Sequence, residues 1–528
     1  MSRTRPSTLH RLSRRFSSSF SSSEASSADA YNAIVTRPSH AADIQSTGNG
    51  PLNGVAVSIK HNFLTADMPS TASSRMLAYN FQPHFDATAV RLLRRAGANI
   101  VGKTNCDEFG MGSANLNSIY GPVLNPAGGS SSTSTMKRVA GGSSGGAAAS
   151  VRSGSSDLAL ASDTGGSIRL PASYCGVWGL KPSYGRISRW GLISYADSLD
   201  TVGLVARDLA LIENGFQILD VVDERDPSTI GRTYRQRASR LISERLASIG
   251  TPDKPLAGLI VGVPLEYFPE ELSPEAIERV RCVLKRLWDA GATIRSVSLP
   301  NTRRALGAYY VVASAEAASN LARYDGIRYG YHERGDRLDI AHGEHPYAAT
   351  RTNGFGEEVR KRILTGTYAL SADAFDNYFL KAQKFRRLVQ ADFDRGFRIP
   401  NVLRTFEEQD SIGVENVKGV DILIHASAVG IAPTMPASSD GLQSSIVHKD
   451  GSIDATSYVQ DVLTVPASLA GLPALNMPVK LELKASETPT SSDEATRLPI
   501  GVSAVAQWGC ESILWKVARH AAADVSTT

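Results

Sequence analysis

Cysteine is scarce in this sequence: four residues in 528, Cys106, Cys175, Cys282 and Cys510, far apart and without a CxxC pair. That spacing gives neither a zinc site nor a disulfide framework, so free buried thiols are expected. Long apolar runs are absent as well. No stretch of about 18 apolar residues could span a bilayer, and no membrane insertion is expected. The chain has no GxxxxGK[ST] loop for nucleotide phosphates and no cluster of metal ligands, so no cofactor is expected in this chain itself. A basic excess is missing from its body. The whole carries +4, but Arg3, Arg5, Arg11, Arg14 and Arg15 contribute +5 within the first 23 residues, leaving −1 for residues 24 to 528. Such a body is not built to grip nucleic acid on its own.

The first 23 residues are rich in arginine and serine and hold no acid, the composition of a mitochondrial presequence. Leu9, Leu12 and Phe16 fall at helical intervals among the arginines, which favours that reading over a disordered basic tail. The expected presequence covers residues 1 to 25, and the expected compartment is the mitochondrial matrix.

Beyond about Gly50 the pattern alternates between strand and helix. "NGVAVSIKHNF" alternates Val55, Val57 and Ile59 and ends on Lys60, as a strand would. "DATAVRLLRRAGANIVGKTN" predicts a helix capped by Asp86 and closed near Gly97, then a short strand through Ile100 and Val101. "SPEAIERVRCVLKRLWDAG" predicts a helix with Ser273 as cap and Pro274 in its first turn, set between the strands "GLIVGVP" and "GATIRSVSLP". The expected fold class is α/β, with one large mixed β-sheet flanked by helices on both faces. Residues 126 to 137 read as an irregular loop, and 484 to 497 as a polar surface excursion.

Two glycine-serine stretches stand out, "GGSSGGAAAS" (141 to 150) and "SDTGGSIRLP" (162 to 171). Flexible linkers share this composition. The apolar run "LALAS" between them suits a buried strand, which puts the glycines at the ends of core elements, where backbone can turn sharply or approach a ligand. A serine there becomes a nucleophile only beside a base. No histidine falls in either stretch, which leaves a buried lysine as the base a hydroxyl chain could use. A strand-end lysine is otherwise most often a solvated rim residue.

The run "GGSSGGAAASVRSGSSDLALASDTGGSIRLPASYCGVWGLKPSYGRIS" resembles the amidase signature over nearly fifty residues. The resemblance implies a single amidase domain over residues 30 to 522 and a triad of Lys60 as base, Ser143 on a cis peptide bond as relay, and Ser167 as nucleophile. The lysine must be neutral to start, which burial can supply. Backbone N–H groups of Thr164, Gly165 and Gly166, with that of Ser167, are expected to surround the developing oxyanion once splayed by the glycines. Asp163 and Arg169 are expected to hold the loop's shape. His61 departs from the family, where aspartate often follows the lysine.

"YYVVASAEAASNLARYDGIRYGYH", "GFGEEVRKRILTGTYALS" and "DVLTVPASLAGLPALNMP" are similar to the glutaminase subunits, the A-subunits, of glutamyl-tRNA(Gln) amidotransferases. That similarity implies glutamine as substrate, with Arg362 on its carboxylate, Asp461 on its ammonium and Tyr309 as a further contact. Val359, Arg362, Ile363 and Gly366 share one helical face, so Arg362 lies in an apolar stripe, unlike Arg360 and Lys361. A snorkelling arginine and a solvated helix acid are the plainer readings of Arg362 and Asp461. The implied partners are the B-subunit of the amidotransferase, where ATP and Mg would act and tRNA would mainly be held, and a small accessory subunit. An independent amidase of small or lipid amides is the alternative. A silent scaffold would lack a triad position, and all three are filled.

Overall fold

The computed structural model describes residues 29–38, 50–78, 81–128, 137–333, 347–404, 416–435, 459–479 and 498–522. The expected presequence and the 484 to 497 excursion lie outside these residues, as does most of the 126 to 137 loop, of which Pro126–Gly128 forms one 3-10 turn. From Tyr31 onward the chain forms one compact unit.

Eleven strands among the described residues make one mixed sheet. In chain order they are β1 (Ile34–Thr36), β2 (Ala56–Lys60), β3 (Asn99–Thr104), β4 (Leu158–Asp163), β5 (Trp178–Lys181), β6 (Thr201–Ala206), β7 (Ile260–Pro264), β8 (Thr293–Val297), β9 (Ile422–Ala426), β10 (Ala474–Met477) and β11 (Val502–Ala506). Their spatial order is β1-β3-β2-β4-β6-β5-β10-β11-β9-β7-β8. β2 runs parallel to both β3 and β4, and β7 to both β8 and β9, while the central strands pair antiparallel. The expected α/β class with a large mixed sheet is what the chain adopts.

Side-chain alternation explains why the sheet is covered on both faces. Along β4, Leu158 and Leu160 enter the main apolar core, while Ala159 and Ala161 enter a second cluster with Ala147, Ala148 and Ala149 of the helix Gly145–Arg152. Small residues on both sides let that helix settle close to the sheet. At Gly146 a Cβ would stand 2.4 Å from the Asn105 carbonyl oxygen, so its first turn tolerates no side chain there. The close seating brings the Ser143-Ser144 pair, just before the helix, to the carboxyl ends of β2 and β4. In parallel α/β sheets that end is where ligands bind.

The helix Pro274–Asp289 starts as expected, with the Ser273 hydroxyl accepting from the Ala276 N–H and Pro274 in the first turn. The expected Asp86 cap is not formed. The helix Thr88–Arg95 has Ala87 at its cap position, and Asp86 instead accepts from the Ala66 N–H and pairs with Arg94, tying the helix to the preceding loop. The four cysteines are free, with Cys282 only partly buried. Among the described residues no helix is long and apolar enough to cross a membrane, and no group of three or more acids, histidines or cysteines could hold a metal.

Candidate active site

The alternation of β2 decides what Lys60 meets. Val57 and Ile59 point into the main core, so Ser58 and Lys60 share the opposite face. Ser58 bonds there with Ser150 of the helix Gly145–Arg152 and with Ser156, both at 3.1 Å. One step further, Lys60 Nζ lies 2.9 Å from Ser143 Oγ, 2.8 Å from Ser144 Oγ and 3.0 Å from Ser162 Oγ. The lysine is fully buried, not a rim residue. Burial lowers its pKa, against the pull of Cys106 and the buried acids Asp107, Asp163 and Asp200. Among the described residues no carboxylate forms an ion pair with it, so burial outweighs that pull and shifts the balance towards the neutral amine.

Ser143 follows a cis peptide bond from Gly142. The Gly142 N–H donates to the Ser113 carbonyl (2.8 Å), and the Ser143 carbonyl accepts from the Asp107 N–H (3.2 Å). Asp107 braces this corner. Its carboxyl accepts from the N–H groups of Asn115 and Asn117, and a Cβ on Gly142 would fall 2.2 Å from its Oδ2. Burial raises the Asp107 pKa to about 6, partly offset by those two N–H groups.

The Ser167 loop is fixed from below by a buried pair. Arg169 donates through Nε and Nη2 to Asp163, at 3.0 and 2.8 Å, and through Nη1 to the Thr464 carbonyl at 2.7 Å. Burial would raise the Asp163 pKa, but the guanidinium and the Ile168 N–H hold it below the ordinary carboxylate range. The two side chains have the expected shape-holding role. The Ser144 N–H donates to the Ser167 carbonyl at 3.1 Å, bringing the two serine segments together.

Close packing gives the glycines a reason besides the expected splaying. Neither Gly165 nor Gly166 has positive φ. A Cβ on Gly165 would stand 2.6 Å from the Tyr309 hydroxyl, and one on Gly166 2.3 Å from Thr464 Oγ1. Close approach of neighbours therefore demands glycine. Within the described residues, the N–H groups of Thr164, Gly165, Gly166 and Ser167 make no hydrogen bond. The Thr164 hydroxyl donates to Asp200, which anchors the start of this run.

Tyr309, Arg362 and Asp461 are all buried and come together around Tyr310, a residue the sequence did not single out. The Tyr310 hydroxyl donates to Asp461 at 3.0 Å, and Arg362 lies over the Tyr310 ring at 5.8 Å. Asp461 also accepts from Ser113 at 2.8 Å, and burial raises its pKa to about 6. It sits in the turn before the helix Val465–Leu469, not on a solvated helix. Arg362 faces inward from the helix Glu357–Ala369 and donates to Glu358 at 2.6 Å. Its Nε is buried with no partner among the described residues. Tyr310, Ser113 and Glu358 went unnoticed because nothing in their spacing separates them from ordinary neighbours.

His61 is on the opposite face of the chain from Lys60 in its contacts. Its Nδ1 accepts from the Thr71 N–H at 3.0 Å, which places the proton on Nε2, where Thr36 Oγ1 lies at 3.1 Å. Burial holds its pKa well below the ordinary value, so it is a neutral bracket between three segments.

The Amidase family model matches residues 17–514. The mitochondrial glutamyl-tRNA(Gln) amidotransferase A-subunit of Mycosarcoma maydis is 46% identical over 509 residues, covering 94% of this chain and 89% of that one. The A-subunit of the Methanospirillum hungatei enzyme is 41% identical over 431 residues, covering 82% and 86%. The crystal structure of the glutamyl-tRNA(Gln) amidotransferase A-subunit from Thermotoga maritima superimposes with a TM-score of 0.65 at 31% identity, covering 93% of this chain and 87% of that one. A family match over most of the sequence, with relatives at these identities and coverages, shows that the chain belongs to the amidase family, on the branch of the glutamyl-tRNA(Gln) amidotransferase A-subunits.

Proposed function

We propose that this chain is the glutaminase subunit of a glutamyl-tRNA(Gln) amidotransferase, with Lys60, Ser143 and Ser167 as its catalytic triad. The observation that carries this reading is Lys60 Nζ at 2.9 Å from Ser143 Oγ, in a buried site where no carboxylate of the described residues pairs with it, and beside the unbonded N–H groups of the Ser167 loop. Ser167 Oγ attacks the glutamine side-chain carbonyl, and its proton passes through Ser143 to neutral Lys60. The developing oxyanion takes hydrogen bonds from the N–H groups of Thr164, Gly165, Gly166 and Ser167. The C–N bond then breaks, the proton returns to the leaving nitrogen, and ammonia departs from a γ-glutamyl ester on Ser167. Water attacks the ester, gives its proton along the same route, and releases glutamate.

Arg362 binds the glutamine α-carboxylate, Asp461 the α-ammonium, and Tyr309 closes the pocket over Gly165. The spare Arg362 Nε and the partly satisfied Asp461 carboxylate support this assignment. Ammonia passes to the B-subunit, where ATP and Mg activate glutamyl-tRNA(Gln), with tRNA held mainly there, and a small accessory subunit completes the set of partners. Residues 1 to 25 direct the chain to the mitochondrial matrix, and residues 30 to 522 act as one amidase domain. Glutamine hydrolysis by the purified chain, with and without the co-expressed B-subunit, tests the reading. Hydrolysis of uncharged amides at rates matching glutamine would instead support an independent amidase.

A further inference from the structure

A cavity of about 640 Å³ lies beside the site without including any triad residue. Its wall holds Glu108, Arg75, Gly356, Glu357 and Arg360, and Glu108 is a buried acid with no part in the chemistry above. Glu108 Oε1 accepts from the Ser74 hydroxyl at 2.5 Å, and Oε2 accepts from the Gly356 N–H at 2.7 Å. Gly356 is the cap residue of the helix Glu357–Ala369 and has no side chain with which to cap it. From 248 residues away, Glu108 accepts from the N–H of the cap residue itself, the bond that the acid of a capping box makes at a helix start. The fit is specific to glycine, because a Cβ on Gly356 would stand 2.4 Å from Glu108 Oε2. The neighbouring residues pull the same way. The Phe109 ring packs on that of Phe355 with centroids 5.8 Å apart, and the Asp107 N–H donates to the Ser143 carbonyl.

Three consecutive residues, Asp107, Glu108 and Phe109, therefore tie the relay serine to the start of the helix that carries Arg362. We propose that Glu108 is a positioning residue for substrate binding: by capping that helix from outside, it sets where Arg362 meets the carboxylate of glutamine. This rests on the glutamine-clamp role of Arg362 given above.

Three substitutions in the full chain, assayed with its co-expressed partner, test it. Glu108→Ala should raise KM for glutamine at least about tenfold while kcat stays within about twofold. Hydrolysis of butyramide, which has no α-carboxylate, should change less than about twofold. Glu108→Gln keeps an acceptor for the Gly356 N–H and should bring KM back to within about threefold of wild type. Ser74→Ala keeps the helix cap and should leave KM within about twofold. Loss of kcat on both substrates in folded Glu108→Ala, or an unchanged KM for glutamine, would overturn the proposal. Arg362→Ala measured alongside separates the two claims. If it too spares KM, the clamp reading itself fails; if it raises KM while Glu108→Ala does not, only the positioning role fails.

Discussion

Replacing Arg362 by alanine should produce two losses of different kinds, and the structure fixes both. The guanidinium is buried between the Glu358 carboxylate at 2.6 Å and the Tyr310 ring at 5.8 Å. Removing one partner from a desolvated ionic contact costs roughly 2–5 kcal/mol, so kcat/KM for glutamine should fall at least about thirtyfold. The second loss is in stability, because Glu358 is left in place without its arginine. Breaking a buried pair costs about 3–5 kcal/mol, and the lower end applies here, since Lys361 Nζ lies 3.4 Å from the same carboxylate. Combining Arg362→Ala with Glu358→Gln removes the stranded charge. That double variant should regain most of the lost Tm and none of the glutamine activity. Steady-state hydrolysis of glutamine and of butyramide, with thermal melts on the same preparations, reads all three effects. Glutamine hydrolysis within about threefold of wild type, or an equal loss on butyramide, would refute the assignment.

Two further outcomes are expected. Ser167→Ala should abolish glutamine-dependent tRNA amidation and spare the ammonia-dependent reaction of the assembled complex, since this chain only makes ammonia; loss of both in an assembled mutant would count against the scheme. Residues 1 to about 25 fused to a fluorescent reporter should carry it into mitochondria, and a cytosolic reporter would remove the support that composition gives.

The parts of the fold that were legible in the sequence are those written in local chemistry. Strand alternation put Lys60 at the end of β2, and Ser273 with Pro274 marked the start of its helix, because each depends only on neighbouring residues. Asp86 misled for the opposite reason. A cap acid is local, but its hydrogen bond to Ala66 and its pairing with Arg94 depend on how a loop folds back. The glycines of the Ser167 loop were legible as necessary and illegible as to why, since the atoms excluding a side chain belong to Tyr309 and Thr464, far along the chain. Arg362 showed itself by lying in an apolar stripe, whereas Tyr310 and Ser113 gave no sign, as their role exists only once Asp461 has been folded against them.

Burial alone would nominate three bases. Lys103 and Lys181 are as deeply buried as Lys60, and burial pushes both down to about 7. The hydrogen inventory separates them. Among the described residues Lys181 meets only carbonyls, of Pro182 and Leu472. Lys103 meets the Phe63 carbonyl and the hydroxyls of Thr65 and Ser70, whose hydrogens are already given to Met68 and Phe63 carbonyls. Neither amine has a hydroxyl hydrogen to accept. Around Lys60 the Ser144 hydrogen is spent on the Ser162 carbonyl, while among the described residues those of Ser143 and Ser162 have no other acceptor. A neutral amine there can donate to Ser144 and Ser162 while accepting from Ser143, which is the arrangement a proton relay needs. Lys103→Met and Lys181→Met should therefore lower stability, by about 1–3 kcal/mol for each buried acceptor left unmatched, with turnover per folded molecule within about threefold of wild type. Lys60→Met and Lys60→Arg should be nearly inactive though folded, because a thioether takes up no proton near pH 7 and a guanidinium cannot serve there as a neutral base. Turnover normalised to folded protein by circular dichroism decides it. More than about a tenth of wild-type turnover in Lys60→Arg, or its loss in folded Lys103→Met or Lys181→Met, would show that the free hydrogen of Ser143 is not what selects the base.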